Sequence, residues 1–165
     1  VITFVLLLSL VLPNPVAAWW GTAHMIIARI AQKDLAENDP SVLDAVTRIL
    51  KQSTFDSYLH LEDQYPFVES ATFADVIKAA GFSDQSQWHF VDTPFFPDHG
   101  SKEPTPAPNQ YNVTWAIEEM VSSLKQTTRG GQKHEPIDYD LAQSFNLRLL
   151  IHYVGDIHQP LHTVT

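Results

Sequence analysis

The sequence predicts a single, mainly α-helical domain with long loops. Successive segments carry apolar side chains at helical spacing, and residues that start or stop helices stand between these segments. The stretch 93–109 contains five prolines, which predict an extended loop in place of a further helix. Residues 19–165 contain no internal repeat and no clear domain boundary.

Local signals place the first three helices. Residues 24–35 are predicted to form the first, with an apolar face of Ile27, Ile30, Ala31 and Leu35. Asp39 and Pro40 then form an N-cap and a first helical position for a second helix. A third is predicted over 71–80, and Gly81 suits the position after its end because glycine readily adopts a left-handed conformation.

Two more helices are predicted in the second half of the chain. Asn112 can cap one of them, although Thr114 would serve instead if Asn112 carried a glycan. Residues 130–136 form a second loop, and the last helix is expected from about 138 to 158, where Pro160 ends it. Its buried face is expected to include Leu141, Phe145 and Leu149.

Residues 1–18 differ in character from the rest of the chain. They contain no charged residue, and an apolar run over 5–12 is followed by two prolines and by Val16-Ala17-Ala18. The run is too short to span a bilayer comfortably, and small residues at its end suit signal peptidase. We therefore expect a secretory signal peptide over 1–18, with the mature protein secreted, in the secretory-pathway lumen or at the cell surface. The missing Met and basic flank indicate that the true start is lacking.

Composition restricts how the chain can bind nucleic acid. There is no cysteine, so packing or bound metal must hold the domain, and the sequon Asn112-Val113-Thr114 fits a glycosylated surface site. The net charge is −9 with histidines neutral, whereas a duplex-binding protein normally presents a basic face. Contact with phosphates would therefore depend on bound cations, or stacking would contribute much of the affinity.

The segment 152–162 carries the clearest chemical pattern. His152 and Asp156 lie four residues apart and therefore project from one face of the last helix. His162 lies beyond Pro160, where the chain can turn back toward the same pocket. Imidazole nitrogen and carboxylate oxygen are zinc ligands. Such a pair is usually on a helix surface, but the apolar residues around it indicate an inward orientation, where unpaired polar groups are costly.

Three upstream segments offer further candidates. Asp75 and Lys78 lie one turn apart on the third helix and would, alone, be interpreted as a surface ion pair. His89 stands between two aromatic residues, where a core histidine is the commoner interpretation. Signal cleavage would free the amine of Trp19, five residues before His24, and a neutral amine can bind metal.

Together these segments resemble a known family. The order Trp-x-x-x-x-His, Ala-Asp-x-x-Lys, Trp-His-Phe-x-Asp and His-x-x-x-Asp-x-x-Gln-Pro-Leu-His is similar to the class I, trinuclear-zinc nucleases of fungi, plants and protozoa. The double Trp and the stretch 88–98 look closest to the protozoan 3′-nucleotidase/nuclease branch. The resemblance is co-linear over essentially all of 19–165, which would be the N-terminal portion of the nuclease domain.

The resemblance implies a phospholipase C/nuclease-like helical fold with a zinc cluster in a cleft and three zinc ions in the complete protein. One zinc ion would be held by Asp75, His89, His152 and Asp156. A second would be held by the amine and carbonyl of Trp19, with His24 and the other oxygen of Asp156. His162 would be one ligand of a third, whose remaining His and Asp ligands lie further downstream in the family. We therefore expect the chain to be C-terminally truncated.

The resemblance also implies a reaction. Phe90 would stack on a nucleobase, Asp92 would hydrogen-bond the base edge, and Asp75 would orient the attacking hydroxide. Lys78, where many relatives carry Arg, would stabilise charge on the phosphate. The expected activity is zinc-dependent hydrolysis of P–O3′ bonds in single-stranded RNA and DNA and in 3′-nucleotides, giving 5′-phosphorylated products or nucleosides. No stable duplex binding and no protein partner are inferred.

Three other functions stay open. A zinc-dependent phospholipase C uses a similar cluster and an N-terminal Trp, although Phe90 and Asp92 argue against it. A non-catalytic, secreted zinc-binding domain is a second, and a helical interaction module, which predicts no stoichiometric zinc, is a third. The remaining histidines are expected to be solvated or outside the cluster: His60, His99, His134 and His158.

Overall fold

A computed structural model describes residues 21–52, 64–96, 107–128 and 139–164. These ranges contain the helices α1 (Gly21–Asn38), α2 (Pro40–Lys51), α3 (Pro66–Glu69), α4 (Phe73–Ala79), α5 (Val113–Thr128), α6 (Tyr139–Asp156) and α7 (Pro160–Thr163). Two 3-10 helices, Ser70–Thr72 and Ser83–His89, flank α4. Within the described residues the only β pairing is an isolated parallel bridge between Thr93 and Val164, so the all-α prediction is confirmed.

The helix ends follow local chemistry. Helix α2 begins at Pro40 as expected, but the Asp39 side chain accepts a hydrogen bond from the Ser41 hydroxyl (3.0 Å) and caps no backbone N–H. Gly81 follows α4 with a φ of 108°, which confirms the expected left-handed position. Asn112 caps α5, since its Oδ1 accepts a hydrogen bond from the Trp115 amide (3.0 Å).

The predicted C-terminal end of the last helix was wrong. Helix α6 ends at Asp156, two residues before the expected end. Pro160 does not stop it but occupies the first position of α7, where the missing N–H of proline costs nothing. The Gln159 side chain caps α7 by accepting a hydrogen bond from the Leu161 amide (3.1 Å).

Helix α6 lies between two groups of core residues. One group joins it to α4 and α5 through Phe73, Ala74, Ile77, Val113, Ala116, Met120, Leu149 and Tyr153. The other joins it to α1, α2 and α3 through Ala28, Leu50, Phe67, Ala71 and Leu147. Because α6 packs on both sides, polar side chains in its last two turns are also enclosed. Leu141, expected to be buried, is 43% exposed in the first turn.

The buried face of α1 also differs from the expected one. Ile30 is 64% exposed, whereas the residues that α1 buries are His24 and Ala28. A hydrophobicity pattern treats His24 as polar and therefore rotates the predicted face away from it. None of the described helices is long and apolar enough to cross a membrane.

Candidate metal centre

Helix α6 supplies the centre of the site. His152 and Asp156 are both fully buried on one face of this helix, and His152 Nε2 lies 3.2 Å from Asp156 Oδ2. The i,i+4 spacing places the two side chains together, as the sequence predicted. Packing on both sides of α6 removes them from solvent. A buried carboxylate requires partners to compensate its lost hydration.

Three other elements bring those partners. His24 of α1 places Nε2 3.4 Å from Asp156 Oδ1, and His162 of α7 places Nδ1 3.0 Å from the same oxygen. His89, at the end of a 3-10 helix, places Nδ1 2.8 Å from Asp156 Oδ2. Four imidazoles thus surround one carboxylate, each from a different element of the fold.

Asp75 and Lys78 lie at the open side of this cluster. The Lys78 ammonium donates to Asp75 Oδ1 (2.7 Å), and the same oxygen lies 3.9 Å from His89 Nδ1. The two side chains are 37% and 33% exposed, whereas His89 is 1% exposed. The ion pair expected from the spacing is therefore present. It is accessible to solvent and lies next to the buried histidines.

The donor atoms are spaced as a metal ion would need. Ligand atoms of His24, His152 and Asp156 all lie within 4.8 Å of one another, and those of Asp75, His89 and His152 form a second such group. Five buried donor or acceptor atoms here have no hydrogen-bond partner within the described residues: His24 Nδ1 and Nε2, His89 Nε2, Asp156 Oδ1 and His162 Nδ1. Such atoms are costly unless something binds them. A nitrogen-and-oxygen set of this kind fits zinc.

Burial also favours the protonation states that metal binding needs. Burial lowers the pKa of His24 to about 4, and the neighbouring His152 acts in the same direction. Burial likewise lowers the pKa of His89, although its hydrogen bond with Asp156 opposes the shift. Burial alone would raise the pKa of Asp156, but its close contacts with His152, His162 and His89 outweigh burial and hold that pKa well below its usual range. Near neutral pH, His24 and His89 are therefore neutral and Asp156 is ionised.

A backbone carbonyl fixes the orientation of His152. Its Nδ1 lies 2.6 Å from the carbonyl oxygen of Ala71, which can only accept a hydrogen bond. Nδ1 must therefore carry a proton, which leaves Nε2, on the side of Asp156, as the ring nitrogen that can bind a metal ion. Sequence reasoning missed this contact, because a backbone carbonyl leaves no mark in a motif.

Phe90 and Asp92 stand at the edge of the cluster, on a segment attached to α7. The Phe90 ring is half-buried, and its centroid lies 4.5 Å from that of His162. Asp92 is exposed and adopts a φ of 43°, which is uncommon for a residue other than glycine. The amides of Val91 and Thr93 on either side donate to the carbonyls of His162 (2.8 Å) and Thr163 (3.0 Å).

The remaining predicted residues lie either outside the described part of the chain or away from the cluster. Trp19 and the expected signal peptide over 1–18 lie outside the described residues, as do His60, His99 and His134. His158 is exposed, and its Nδ1 contacts the Val154 carbonyl (2.6 Å) away from the cluster. Asn112 is half-buried at the start of α5.

A helical domain that encloses converging His and Asp side chains has the features of a metal-binding protein. The model of the S1/P1 nuclease family matches residues 19–165, and the chain belongs to this family. The chain is also 28% identical over 151 residues to Endonuclease 3 of Arabidopsis thaliana, covering 92% of this chain and 46% of that protein. It thus spans about half the length of this curated relative. No solved structure matches it significantly.

Proposed function

We propose that the whole protein is a zinc-dependent hydrolase of P–O3′ bonds, acting on single-stranded RNA and DNA and on 3′-nucleotides. The observation that carries this proposal is the buried Asp156 carboxylate among four imidazoles, with Asp75 at the open side. Family membership supports nuclease chemistry in general terms. The class I assignment and the protozoan 3′-nucleotidase/nuclease branch are part of the proposal.

The ligands would divide as the family pattern implies. Asp75, His89, His152 and Asp156 would hold one zinc ion, whereas His24 and the other Asp156 oxygen would share a second with Trp19. His162 would contribute to a third. When bound, zinc would activate a water molecule and neutralise phosphate charge, which also accounts for nuclease activity in a chain of net charge −9.

Asp75 and Lys78 are positioned to act on the reacting groups. Burial alone would raise the pKa of Asp75, but the neighbouring His152 and the Lys78 hydrogen bond outweigh burial, so the pKa is lowered and the carboxylate stays ionised. An ionised Asp75 can accept a hydrogen bond from the attacking water and orient it. Lys78 is solvent-accessible and bonded to Asp75, so its ammonium can also reach a phosphate oxygen at this rim.

Phe90 and Asp92 would select the substrate. A half-buried aromatic ring beside His162 offers a platform for one base, and a carboxylate two residues on can accept a hydrogen bond from the base edge. Because a base must leave its stack to reach this platform, single strands would be preferred. We also propose secretion after removal of residues 1–18, with a glycan on Asn112.

The test uses the full-length, signal-cleaved protein with single-stranded RNA, 3′-AMP and phosphatidylcholine as substrates. Activity on the first two should be lost after chelation and regained with zinc. Asp75→Asn should lower kcat at least about 100-fold, as expected for a lost proton acceptor. Asp84→Asn, a change at an exposed carboxylate on the next helix, should have no effect.

Three results would overturn the proposal. Hydrolysis of phosphatidylcholine in place of the nucleotides would indicate a phospholipase C. Zinc binding without any hydrolysis would indicate a non-catalytic domain. Failure to bind zinc at all would indicate a helical interaction module. Zinc content is measured for Asp75→Asn in parallel, because this residue would also be a ligand.

A further inference from the structure

A buried chain of side-chain hydrogen bonds joins the three elements that carry the proposed ligands of one zinc ion. The Tyr153 hydroxyl donates to Gln85 Oε1, and Gln85 Nε2 donates to the carbonyl of Ala74 (3.1 Å). Tyr153 lies on α6, Gln85 on the Ser83–His89 3-10 helix and Ala74 on α4. None of these contacts was expected from the sequence.

Each member of this chain stands close to a proposed ligand. Ala74 precedes Asp75, and Tyr153 follows His152. Gln85 lies four residues before His89 on the same short helix. A shift of any one element would therefore break a hydrogen bond and move a ligand at the same time. These side-chain hydrogen bonds therefore connect three separate helices.

The bonds have one consistent arrangement of donors and acceptors. Ala74 contributes a carbonyl, so the Gln85 amide must present its NH₂ group there and its oxygen to Tyr153. Burial raises the pKa of Tyr153, so its hydroxyl stays protonated and donates a hydrogen bond to this oxygen. Tyr153 is completely buried and Gln85 is 5% exposed. Breaking either bond would leave a buried polar group without a partner, which is costly.

The Tyr153 ring also restrains two of the histidines. Its centroid lies 5.3 Å from the His89 ring and 5.7 Å from the His152 ring, and both pairs meet at an angle of 84°. These edge-to-face contacts limit the rotation of both imidazoles. The Tyr153 hydroxyl itself donates its hydrogen bond to Gln85.

We propose that Tyr153 and Gln85 are positioning residues that set the spacing of Asp75, His89 and His152 and so determine the affinity and geometry of the metal site that these ligands form. This inference rests on the proposed function, because it assumes that the cluster binds zinc. It adds two residues that would touch neither metal nor substrate. Outer contacts of this kind commonly change metal affinity about 10- to 100-fold.

The test compares Tyr153→Phe and Gln85→Met with the unmodified full-length, signal-cleaved protein. Phenylalanine keeps the packed ring, and methionine keeps the length of the side chain without its hydrogen bonds, so both variants should fold. Ile77→Val is the matched control, since it weakens the same core without touching these hydrogen bonds. Zinc affinity is measured by competition with a chelator, and ligand geometry by the visible spectrum of the cobalt-substituted protein.

We expect both variants to bind zinc at least about 10-fold more weakly and to show an altered cobalt spectrum, with Ile77→Val unchanged in both measurements. Unchanged affinity and spectrum in Tyr153→Phe and Gln85→Met would overturn this inference and leave the proposed function standing. An equal loss of zinc affinity in Ile77→Val would show that the variants act through a general loss of stability, and this result would also overturn the inference. Absence of zinc binding in the unmodified protein would instead overturn the proposed function, and this inference with it.

Discussion

Gly155 of α6 lies directly against the imidazole of His24 on α1: a methyl group added at Gly155 would stand 2.5 Å from His24 Nδ1. A glycine inside a helix costs about 1 kcal/mol relative to alanine. Here it allows α1 to approach α6 closely enough for His24 Nε2 to lie 3.4 Å from Asp156 Oδ1. The cluster thus depends on a missing side chain as well as on those present.

Gly155→Ala should therefore weaken metal binding. The added methyl group must displace His24, so we expect at least a 10-fold loss of zinc affinity, of the size seen when the surroundings of a metal site are disturbed (about 10- to 100-fold). The free energy of unfolding should also fall, although alanine favours the helix. Gly81→Ala is the control, because a methyl group there has no neighbour within 4 Å and only the positive φ is strained. A Gly155→Ala protein with normal zinc affinity in chelator competition would contradict this account.

The metal-free protein should lose stability as the pH falls from about 6.5 to about 4. The pKa of His24 is lowered from 6.5 to about 4, so in this interval the unfolded chain binds protons that the folded protein does not. The free energy of unfolding then decreases with decreasing pH, by up to about 3 kcal/mol for this residue alone. The lowered pKa of His89 acts in the same direction.

Urea unfolding of the chelated protein at pH 7, 5.5 and 4 measures this effect. His24→Asn removes the titrating ring and should reduce the dependence on pH. Stability that stays constant or rises as the pH falls through this interval would show that the histidines are not buried as neutral rings.

Phe90→Ala should weaken substrate binding while the metal stays bound. Stacking of one base is worth about 1–3 kcal/mol, which corresponds to a rise in KM of about 5- to 150-fold for a single-stranded oligonucleotide. Phe90→Trp should restore binding, and Phe82→Ala, at a ring that is 58% exposed, serves as the control. The KM of each variant is measured by steady-state kinetics, and its zinc content is measured on the same sample. An unchanged KM in Phe90→Ala would remove this residue from the substrate site.

Asn112 should stabilise α5 by capping its first turn. Its Oδ1 caps the Trp115 amide and its Nδ2 donates to the Asn109 carbonyl (2.9 Å). Asn112→Ala should lower the free energy of unfolding by about 1 kcal/mol, whereas Asn112→Asp should keep the cap.

The glycan is tested by measuring the mass of the secreted protein. If Asn112 is modified during secretion, Asn112→Asp and Thr114→Ala should lose the same mass from the secreted protein, because each destroys the sequon. An unchanged mass in both variants would remove the glycan from the proposal. Equal stability of Asn112→Ala and Asn112→Asp would contradict the capping role.

Much of the fold could be predicted because its signals are local. Pro40, Gly81 and Asn112 mark helix ends through restrictions on their own backbone or a hydrogen bond three residues away. The pair His152 and Asp156 follows from the period of one helix. The predicted faces of α1 and α6 were partly wrong at Ile30 and Leu141, because a neighbouring helix decides which side of an amphipathic segment is covered.

The sequence by itself therefore determined the all-α class, the helix ends marked by Pro40, Gly81 and Asn112, and the shared face of His152 and Asp156, since a turn of helix or a cap involves residues within a few positions of one another. Its motifs also indicated the family. Only the tertiary structure decided that His24, His89 and His162 surround one buried carboxylate, that Ala71 orients His152 and that Gln85 bonds Tyr153. These contacts join residues far apart in the chain, and their distances depend on how closely the helices pack, which no local pattern specifies.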